Sequence, residues 1–372
     1  MIKVGVTGRN GFIGKHVSNT LRLHPEEFEE VDFERNFFDD SELLNAFVNA
    51  CDVIIHLAAL NRHEDDVFLH DKNISLAQTL VEACENTGAK PKLIFSSSVQ
   101  ENRDNFYGMS KKKGSDLIKA WSEKSGATYA IMVIPNVFGP FGKPYYNSVI
   151  STFCFELLNN KAPKILADNY VEFIYVDELV EKILEAARNT TLSTYAEVAP
   201  TCGSNVSEIL STLEEYKKQY IGNNTIPALP DAFHLNLFNT FRSFIDHGSY
   251  FPVSLKQHID ERGAFTEIIR LGIGGQVSFS TTHGGIVRGN HFHRRKIERF
   301  AVIKGEALIQ TRKLGEEEVL EFTLDGETPA YVDMPIWYTH NIQNTGTETL
   351  FTIFWINEPY DADNPDTYFE KV

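Results

Sequence analysis

Tyr107 and Lys111 form the first pair of residues whose types and spacing suit chemistry. They are four residues apart, which places both side chains on one face of a helix. A nearby ammonium favours the tyrosinate, so we expect the pKa of the phenol to fall toward the working pH and the phenol to transfer a proton. The serines Ser96–Ser98 follow a predicted strand and offer a hydroxyl to the same substrate oxygen. These residues predict an acid–base site.

A histidine cluster in the last third of the chain predicts a metal site. His291 and His293 alternate, so both side chains project from one face of a strand. Neighbouring strands can then bring Glu298 and His340 inward. Two or three imidazoles with one carboxylate suit a divalent metal such as zinc, with one coordination position left for water or substrate.

Three glycines, Gly8, Gly11 and Gly14, lie between the first predicted strand and a helix. They permit a tight turn, a close approach of pyrophosphate to the backbone and tight packing of helix on sheet. The helix N-terminus, with Phe12 and Ile13, offers free N–H groups to phosphates. This loop therefore predicts a dinucleotide-binding site.

The choice between NAD and NADP depends on charged residues near the second strand. Asp32 and Glu34 would hold a ribose hydroxyl, which favours NAD. Arg9 and Arg35 would neutralise a 2′-phosphate, which favours NADP. We expect NADP(H).

Two patterns of elements must position these residues. Up to about Val198, near-continuous apolar strands alternate with helices, which predicts a doubly wound parallel α/β sheet of the Rossmann type. From about Pro252, short alternating strands with frequent turn signals predict an all-β sandwich or barrel. We therefore predict domains at 1–250 and 251–372.

Composition narrows the class of protein. The net charge of −16 argues against general nucleic-acid binding, which needs a basic surface. We expect no signal peptide and no membrane association, because no apolar run is long enough to span a bilayer. The four cysteines lack paired spacing and are expected to be buried thiols, so we expect a cytoplasmic protein.

Residues 1 to about 190 resemble the extended short-chain dehydrogenases/reductases. The resemblance lies in the glycine loop, His56–Ala59, Ser96–Ser98, Tyr107–Lys111, Pro135–Pro140 and Tyr175–Glu178. It implies that Ser98, Tyr107 and Lys111 are the catalytic trio. It also implies that Leu57, Ala58 and Asn73 lie near the cofactor, and that Asn136 and Asn147 face a sugar nucleotide.

Two departures from this family limit the activity. Only eight residues separate Ser98 from Tyr107, so the wall between them is short and the site is either open or completed by another part of the chain. Dehydratase relatives carry an Asp-Glu pair where this chain has Val99 and Gln100. Carbonyl reduction is therefore expected, and dehydration is not.

Residues 285–344 resemble both cupin motifs, with Trp337 where the second motif usually has glycine. We expect a jelly-roll barrel in which His291, His293, Glu298 and His340 hold the metal. Residues 260–267 and 287–291 also resemble sugar-nucleotide 3,5-epimerases. That resemblance implies substrate contacts from Arg262 and Arg288.

His291 is thus implied twice, as a metal ligand and as the base that takes a proton beside a keto group. If it binds metal, Lys296 or a metal-bound hydroxide would be the base. A cupin used only for dimerisation is the structural alternative.

The full-length pattern, with its tail Asn364–Phe369, resembles the CapF family of capsular polysaccharide enzymes, also known in WbjC and FnlB versions. The family implies 3-epimerisation of a UDP-activated 4-keto deoxy amino sugar by the cupin, followed by reduction of carbon-4 with NADPH. The product, UDP-N-acetyl-6-deoxy-L-talosamine, is a precursor of N-acetyl-L-fucosamine. The family also implies a zinc ion and a homodimer. Two alternatives are a single-activity reductase or 4-epimerase with a structural cupin, and a non-catalytic sensor of sugar nucleotides.

Overall fold

The structure, a computed structural model, describes residues 1–260, 263–266, 268–272, 274–358 and 361–372. The chain divides into two compact units. The first comprises Met1–Thr152 and Ile165–Glu208, and the second comprises Phe153–Lys164 and Ile209–Val372. Among the described residues, no helix combines the length and apolar character needed to cross a membrane.

Parallel strands and helices alternate along the first unit. The strands are β1 (Ile2–Thr7), β2 (Phe28–Val31), β3 (Val53–His56), β4 (Lys92–Ser98), β5 (Tyr129–Ile134), β6 (Asn136–Phe138), β7 (Tyr170–Tyr175), β8 (Thr194–Glu197) and β9 (Cys202–Asn205). The helices are α1 (Phe12–Leu21), α2 (Ser41–Ala50), α3 (Asp66–Thr87), α4 (Phe106–Ser125) and α6 (Val176–Arg188), with a 3₁₀ turn at Arg35–Asp39. Helix α5 (Val149–Leu158) begins in this unit, and its residues from Phe153 onward belong to the second. Six strands form a parallel sheet in the order β2-β1-β3-β4-β5-β8, and β6, β7 and β9 form a smaller one.

Helices cover both faces of the parallel sheet, so its strands are apolar throughout. Along β3, Val53 and Ile55 pack with α1 and α6, whereas Ile54 packs with α2, α3 and α4. All three side chains are completely buried. This confirms the predicted doubly wound α/β fold.

The strand order reverses at β1, because the chain moves from β1 to β2 on one side and returns to β3 on the other. In such sheets ligands bind beyond the carboxyl ends of the strands at this switch point. Thr7 and His56 end the adjacent strands β1 and β3, and the Thr7 hydroxyl lies 2.8 Å from His56 Nδ1. The switch point therefore places the glycine loop and the start of α1 at a ready-made binding crevice.

Two five-stranded antiparallel sheets form most of the second unit and confirm the predicted cupin-like β domain. One sheet runs in the order β11 (Val253–Ser254), β20 (Ala330–Met334), β17 (Glu298–Lys304), β22 (Leu350–Ile356) and β15 (Gln276–Thr282). The other runs in the order β19 (Val319–Asp325), β18 (Glu306–Lys313), β21 (Tyr338–Asn344), β16 (Val287–Phe292) and β23 (Tyr368–Phe369). Two small pairs join β10 (Thr225–Ile226) to β14 (Arg270–Leu271) and β12 (Gln257–Asp260) to β13 (Gly263–Thr266).

Residues 209–250 belong to the second compact unit, whereas the sequence assigned them to the first domain. They contain most of α7 (Val206–Tyr216), a π-helical turn (Lys217–Gly222), α8 (Ala232–Arg242) and α9 (His247–Tyr250). The Tyr220 hydroxyl donates to the buried Asp333, and Arg242 donates to the Met334 carbonyl. These long-range bonds to β20 have no signature in the local sequence pattern.

Candidate functional site

A cleft of about 450 Å³ lies at the switch point of the first unit. Most of the predicted cofactor and substrate residues of this unit line it: Gly8, Gly11, Phe12, Ile13, Gly14, Leu57, Ala58, Ser98, Tyr107, Lys111, Asn136 and Asn147. A Cβ atom on Gly14 would lie 2.2 Å from the Gly8 carbonyl oxygen, and Gly8 itself has a φ of +78°. The loop therefore needs glycine at both positions.

Helix α4 carries the acid–base pair into this cleft. Asn105 caps the helix by accepting a hydrogen bond of 2.8 Å from the Gly108 N–H. The Lys111 ammonium lies 5.8 Å from the centre of the Tyr107 ring and donates to the Ser96 carbonyl at 2.8 Å. Ser98, at the end of β4, lies close enough to the Tyr107 phenol to lower its pKa. The structure thus brings Ser98, Tyr107 and Lys111 together.

The pKa of Tyr107 differs from the sequence prediction. Burial, followed by the neighbouring Tyr146, raises the pKa of the phenol, and Ser98 offsets only part of this rise. Burial also lowers the pKa of Lys111 to about 8. The pKa of the phenol is therefore shifted in the direction opposite to the predicted fall, because desolvation of the buried phenolate is the largest effect.

Three predicted cofactor residues do not line the cleft. Asn73 is buried and clamps Leu60, accepting from its N–H at 2.7 Å and donating to its carbonyl at 2.9 Å. Arg9 turns toward acidic neighbours, with nitrogens 3.0 Å from Asp32 and 3.7 Å from Glu30. Arg35 is exposed on the turn after β2. Asn73 consequently positions the loop after β3 instead of lining the cleft.

The short connection between Ser98 and Tyr107 is held by a buried carboxylate that the sequence did not single out. Glu101 accepts hydrogen bonds from the Ser97 and Tyr195 hydroxyls. Residues 141–143 and 146–148 supply another part of the wall. The predicted gap is thus completed by a later segment of the same unit.

Within that segment Tyr146 is the residue the sequence interpretation missed. Its hydroxyl accepts a hydrogen bond of 3.0 Å from the Asn61 N–H, which ties residues 141–148 to the loop after β3. The Lys143 ammonium lies 5.2 Å from the centre of its ring. Its position next to the predicted Asn147 was the available signal.

The predicted substrate residue Asn136 lines the same cleft, and its side-chain amide donates to the Glu172 carbonyl at 3.2 Å.

The four predicted metal ligands of the second unit converge. One ligand atom from each of His291, His293, Glu298 and His340 lies within 4.8 Å of the others. His291 and His340 are register partners on β16 and β21, next to a bulge at Gly289. Glu298 starts β17 in the other sheet, so both sheets contribute to the cluster.

The imidazole orientations suit metal binding. His293 Nδ1 lies 2.5 Å from the Asp366 carbonyl, and His340 Nδ1 lies 3.3 Å from the Tyr338 carbonyl. A carbonyl only accepts, so each Nδ1 carries the proton and each Nε2 keeps a lone pair. The two Nε2 atoms lie 3.0 and 3.3 Å from Glu298 Oε2, yet these three buried atoms make no well-oriented hydrogen bond within the described chain. Tetrahedral zinc ligands are about 3.4 Å apart, so the set fits such an ion.

Burial and neighbouring side chains shift the pKa values of this cluster, in opposite directions at Glu298 and in the same direction at His291. Burial opposes ionisation of Glu298, but His293 and His340 hold the pKa of its carboxyl well below the usual range. Burial lowers the pKa of His291 to about 4, and the other two histidines add to the effect. His291 is therefore neutral near pH 7, as either a metal ligand or a base requires.

A cavity of about 170 Å³ adjoins the cluster and is lined by His291, Glu298, His340 and the predicted substrate residue Arg288. Lys296 does not line it: its ammonium donates to the Pro365 carbonyl at 2.6 Å and lies 3.9 Å from Glu358. The structure therefore argues against Lys296 as the base. Arg262 lies outside the described residues.

Trp337 accommodates the turn that a glycine normally makes in the second cupin motif. Its φ is +61°, a conformation that glycine adopts readily, and its side chain is completely buried. The backbone N–H of Trp337 donates to the His293 carbonyl at 2.8 Å. The departure leaves His340 within the cluster.

Comparisons with known proteins match the two ends of the chain to two different families. Residues 4–196 match the NAD dependent epimerase/dehydratase family, and residues 258–368 match the polysaccharide biosynthesis C-terminal domain. A UDP-2-acetamido-2,6-beta-L-arabino-hexul-4-ose reductase of Pseudomonas aeruginosa is 32% identical over 99% of this chain and 98% of its own. The crystal structure of the capsular polysaccharide assembling protein CapF of Staphylococcus aureus is similar over the full length of both chains, with 32% identity and a TM-score of 0.63. The spore coat polysaccharide biosynthesis protein SpsL of Bacillus subtilis is 25% identical over 30% of this chain and 81% of its own.

Proposed function

The chain belongs to the NAD dependent epimerase/dehydratase family and, over its full length, to the CapF family, and on that premise we propose that it is a bifunctional nucleotide-sugar enzyme. The cupin centre epimerises carbon-3 of UDP-2-acetamido-2,6-dideoxy-beta-L-arabino-4-hexulose, and the first unit then reduces carbon-4 with NADPH. The product is UDP-2-acetamido-2,6-dideoxy-beta-L-talose, a precursor of UDP-N-acetyl-L-fucosamine. The single observation that carries the proposal is the full-length similarity to a hexul-4-ose reductase.

The reductive step uses Ser98, Tyr107 and Lys111. When bound at the glycine loop, the nicotinamide cofactor supplies the hydride that carbon-4 receives. Ser98 hydrogen-bonds to the keto oxygen, and Tyr107 donates its phenol proton to that oxygen. The raised pKa of Tyr107 supports this direction because it keeps the phenol protonated until reduction begins. Lys111 holds positive charge beside the developing tyrosinate and returns a proton to it.

NADPH is the proposed cofactor because Arg35 is exposed beyond β2, where its guanidinium can bind a 2′-phosphate. Arg9 is less available, since Asp32 and Glu30 already engage it. Comparison of the dissociation constants of NADPH and NADH tests this choice. A lower constant for NADH would favour Asp32 as a ligand of the ribose.

The epimerising step belongs to the cluster of the second unit. His293, Glu298 and His340 would hold a divalent ion such as zinc, which supplies a Lewis acid for the keto group and its enolate. His291 either completes the ligand set or, as a neutral imidazole facing the cavity, takes the proton from carbon-3. A proton derived from solvent then adds to the opposite face of carbon-3, which completes the inversion. Arg288 lines the same cavity and is suited to the diphosphate or a sugar oxygen.

Incubation of the hexulose in deuterated water, with and without NADPH, tests both activities by NMR. We expect deuterium at carbon-3 without NADPH, and reduction at carbon-4 only with it. Reduction without exchange at carbon-3 would favour a single-activity reductase with a structural cupin. Binding without either reaction would favour a sensor.

We also propose that the enzyme works as a homodimer, as the family resemblance implies. Sedimentation equilibrium tests this directly, and a mass that stays monomeric at micromolar concentration would contradict it.

A further inference from the structure

The tail segment Asn364–Phe369 has no role in the function proposed so far, although it contacts His291 and His293 of the metal cluster. Tyr368 and Phe369 pair with Phe292 and His291 of β16, so the tail adds a strand beside a predicted ligand. The rings of Tyr368 and Phe292 stack with their centres 5.3 Å apart. These contacts hold Asp366, which lies two residues before Tyr368, against the turn that follows β16.

Asp366 contacts this turn through both its side chain and its backbone. Its carboxylate accepts three hydrogen bonds from consecutive backbone N–H groups, those of Arg294 at 3.2 Å and of Arg295 and Lys296 at 3.0 Å. Its carbonyl oxygen faces His293 Nδ1. Only 3% of the residue is exposed.

The backbone of Asp366 adopts a left-handed conformation, with a φ of +44°. This conformation is uncommon for a residue other than glycine, and such residues cluster at sites that the surrounding structure must hold in place. In Asp366 it allows the carboxylate and the carbonyl oxygen to reach the same turn from one residue.

We infer that Asp366 is a positioning residue of the metal centre: its carboxylate shapes the turn after β16, and its carbonyl fixes the tautomer of His293. The inference rests on the proposed metal centre and assigns a function to the tail. Groups that orient a ligand through its second nitrogen determine how well the first nitrogen binds metal.

The test compares zinc affinity, measured by competition with a chelator, in wild type, Asp366→Gly and Asp366→Asn. Glycine tolerates the left-handed φ and keeps the carbonyl but removes the carboxylate; asparagine keeps one acceptor oxygen. We expect zinc to bind about 10- to 100-fold more weakly to Asp366→Gly, and to an intermediate extent to Asp366→Asn. Asp363→Gly, an exposed change immediately before the tail segment, is the matched control. We expect this variant to bind zinc as wild type does.

A second measurement separates positioning from general destabilisation. In the zinc-loaded proteins, the ¹⁵N shifts of His293 report which ring nitrogen carries the proton and which one binds the ion. We expect the Nδ1–H form in wild type and a mixture of tautomers in Asp366→Gly, recorded well below the unfolding temperature of each variant. If the glycine variant does not fold, the asparagine variant carries the same test.

Unchanged zinc affinity and an unchanged His293 tautomer in a folded Asp366 variant would overturn the inference, as would an equal loss in Asp363→Gly. A wild-type protein that takes up no divalent metal would overturn the proposed metal centre itself, and this result is distinguishable because it precedes any comparison of variants.

Discussion

The Lys111 ammonium donates a hydrogen bond of 2.8 Å to the Ser96 carbonyl, which joins helix α4 to the end of strand β4. The bond holds a cation beside Tyr107 in a fully buried position. Because water is excluded there, burial disfavours the charged form of Lys111 and lowers its pKa to about 8.

The pH dependence of stability follows from this pKa. The ordinary value is 10.5, so between pH 8 and 10.5 the unfolded chain binds more protons at this lysine than the folded chain does. The free energy of unfolding of wild type should therefore rise relative to that of Lys111→Met across this window, by at most about 3 kcal/mol. Urea unfolding of both proteins at several pH values measures the difference. The difference in free energy of unfolding between wild type and Lys113→Met, an exposed change on the same helix, should stay constant across this window.

Replacement of Tyr107 by phenylalanine removes the proton donor and leaves the ring. We expect the rate of NADPH-dependent reduction to fall about 10²- to 10⁴-fold, because the keto oxygen then lacks a positioned acid. Deuterium exchange at carbon-3 should persist, since we assign it to the second unit. Tyr170→Phe, at a position that is 64% exposed, is the control. Retained reduction in Tyr107→Phe would require another proton donor.

Replacement of His340 by alanine should have the opposite effect. We expect weaker metal binding and no exchange at carbon-3, because one of the three converging buried ligands is lost. Reduction of a substrate already epimerised at carbon-3 should be retained. Elemental analysis, NMR and NADPH oxidation measure the three quantities, with the exposed His283→Ala as control. Loss of reduction together with exchange would contradict separate centres.

Gly14→Ala should disrupt the glycine loop. The added carbon would lie 2.2 Å from the Gly8 carbonyl and 2.8 Å from Arg9 Cα, and both are backbone atoms that cannot move aside independently. We expect destabilisation of about 1–3 kcal/mol and loss of NADPH binding, measured by urea unfolding and fluorescence titration. Gly222→Ala, where the nearest atom is 4.0 Å from the added carbon, should change neither quantity. Normal NADPH affinity in Gly14→Ala would exclude this loop as the phosphate site.

Residues with a local signature were predicted well. Tyr107 and Lys111 share a helix face because of their spacing. His291 and His293 reach one cluster as predicted, although His293 lies one residue beyond the end of β16. Arg9, Lys296 and Asn73 were predicted less well, because each side chain is oriented by a partner that local pattern does not reveal. Lys296, for example, contacts Pro365, which is 69 residues away in the sequence.

Sequence alone determined the two fold classes, the glycine loop and the identity of the four converging side chains, because helix and strand periodicities and glycine requirements are local. Only the tertiary structure decided the protonation preference of Tyr107, the assignment of residues 209–250 and the contact of Asp366 with His293. Burial and long-range hydrogen bonds control these properties, and both depend on which distant segments the fold brings together.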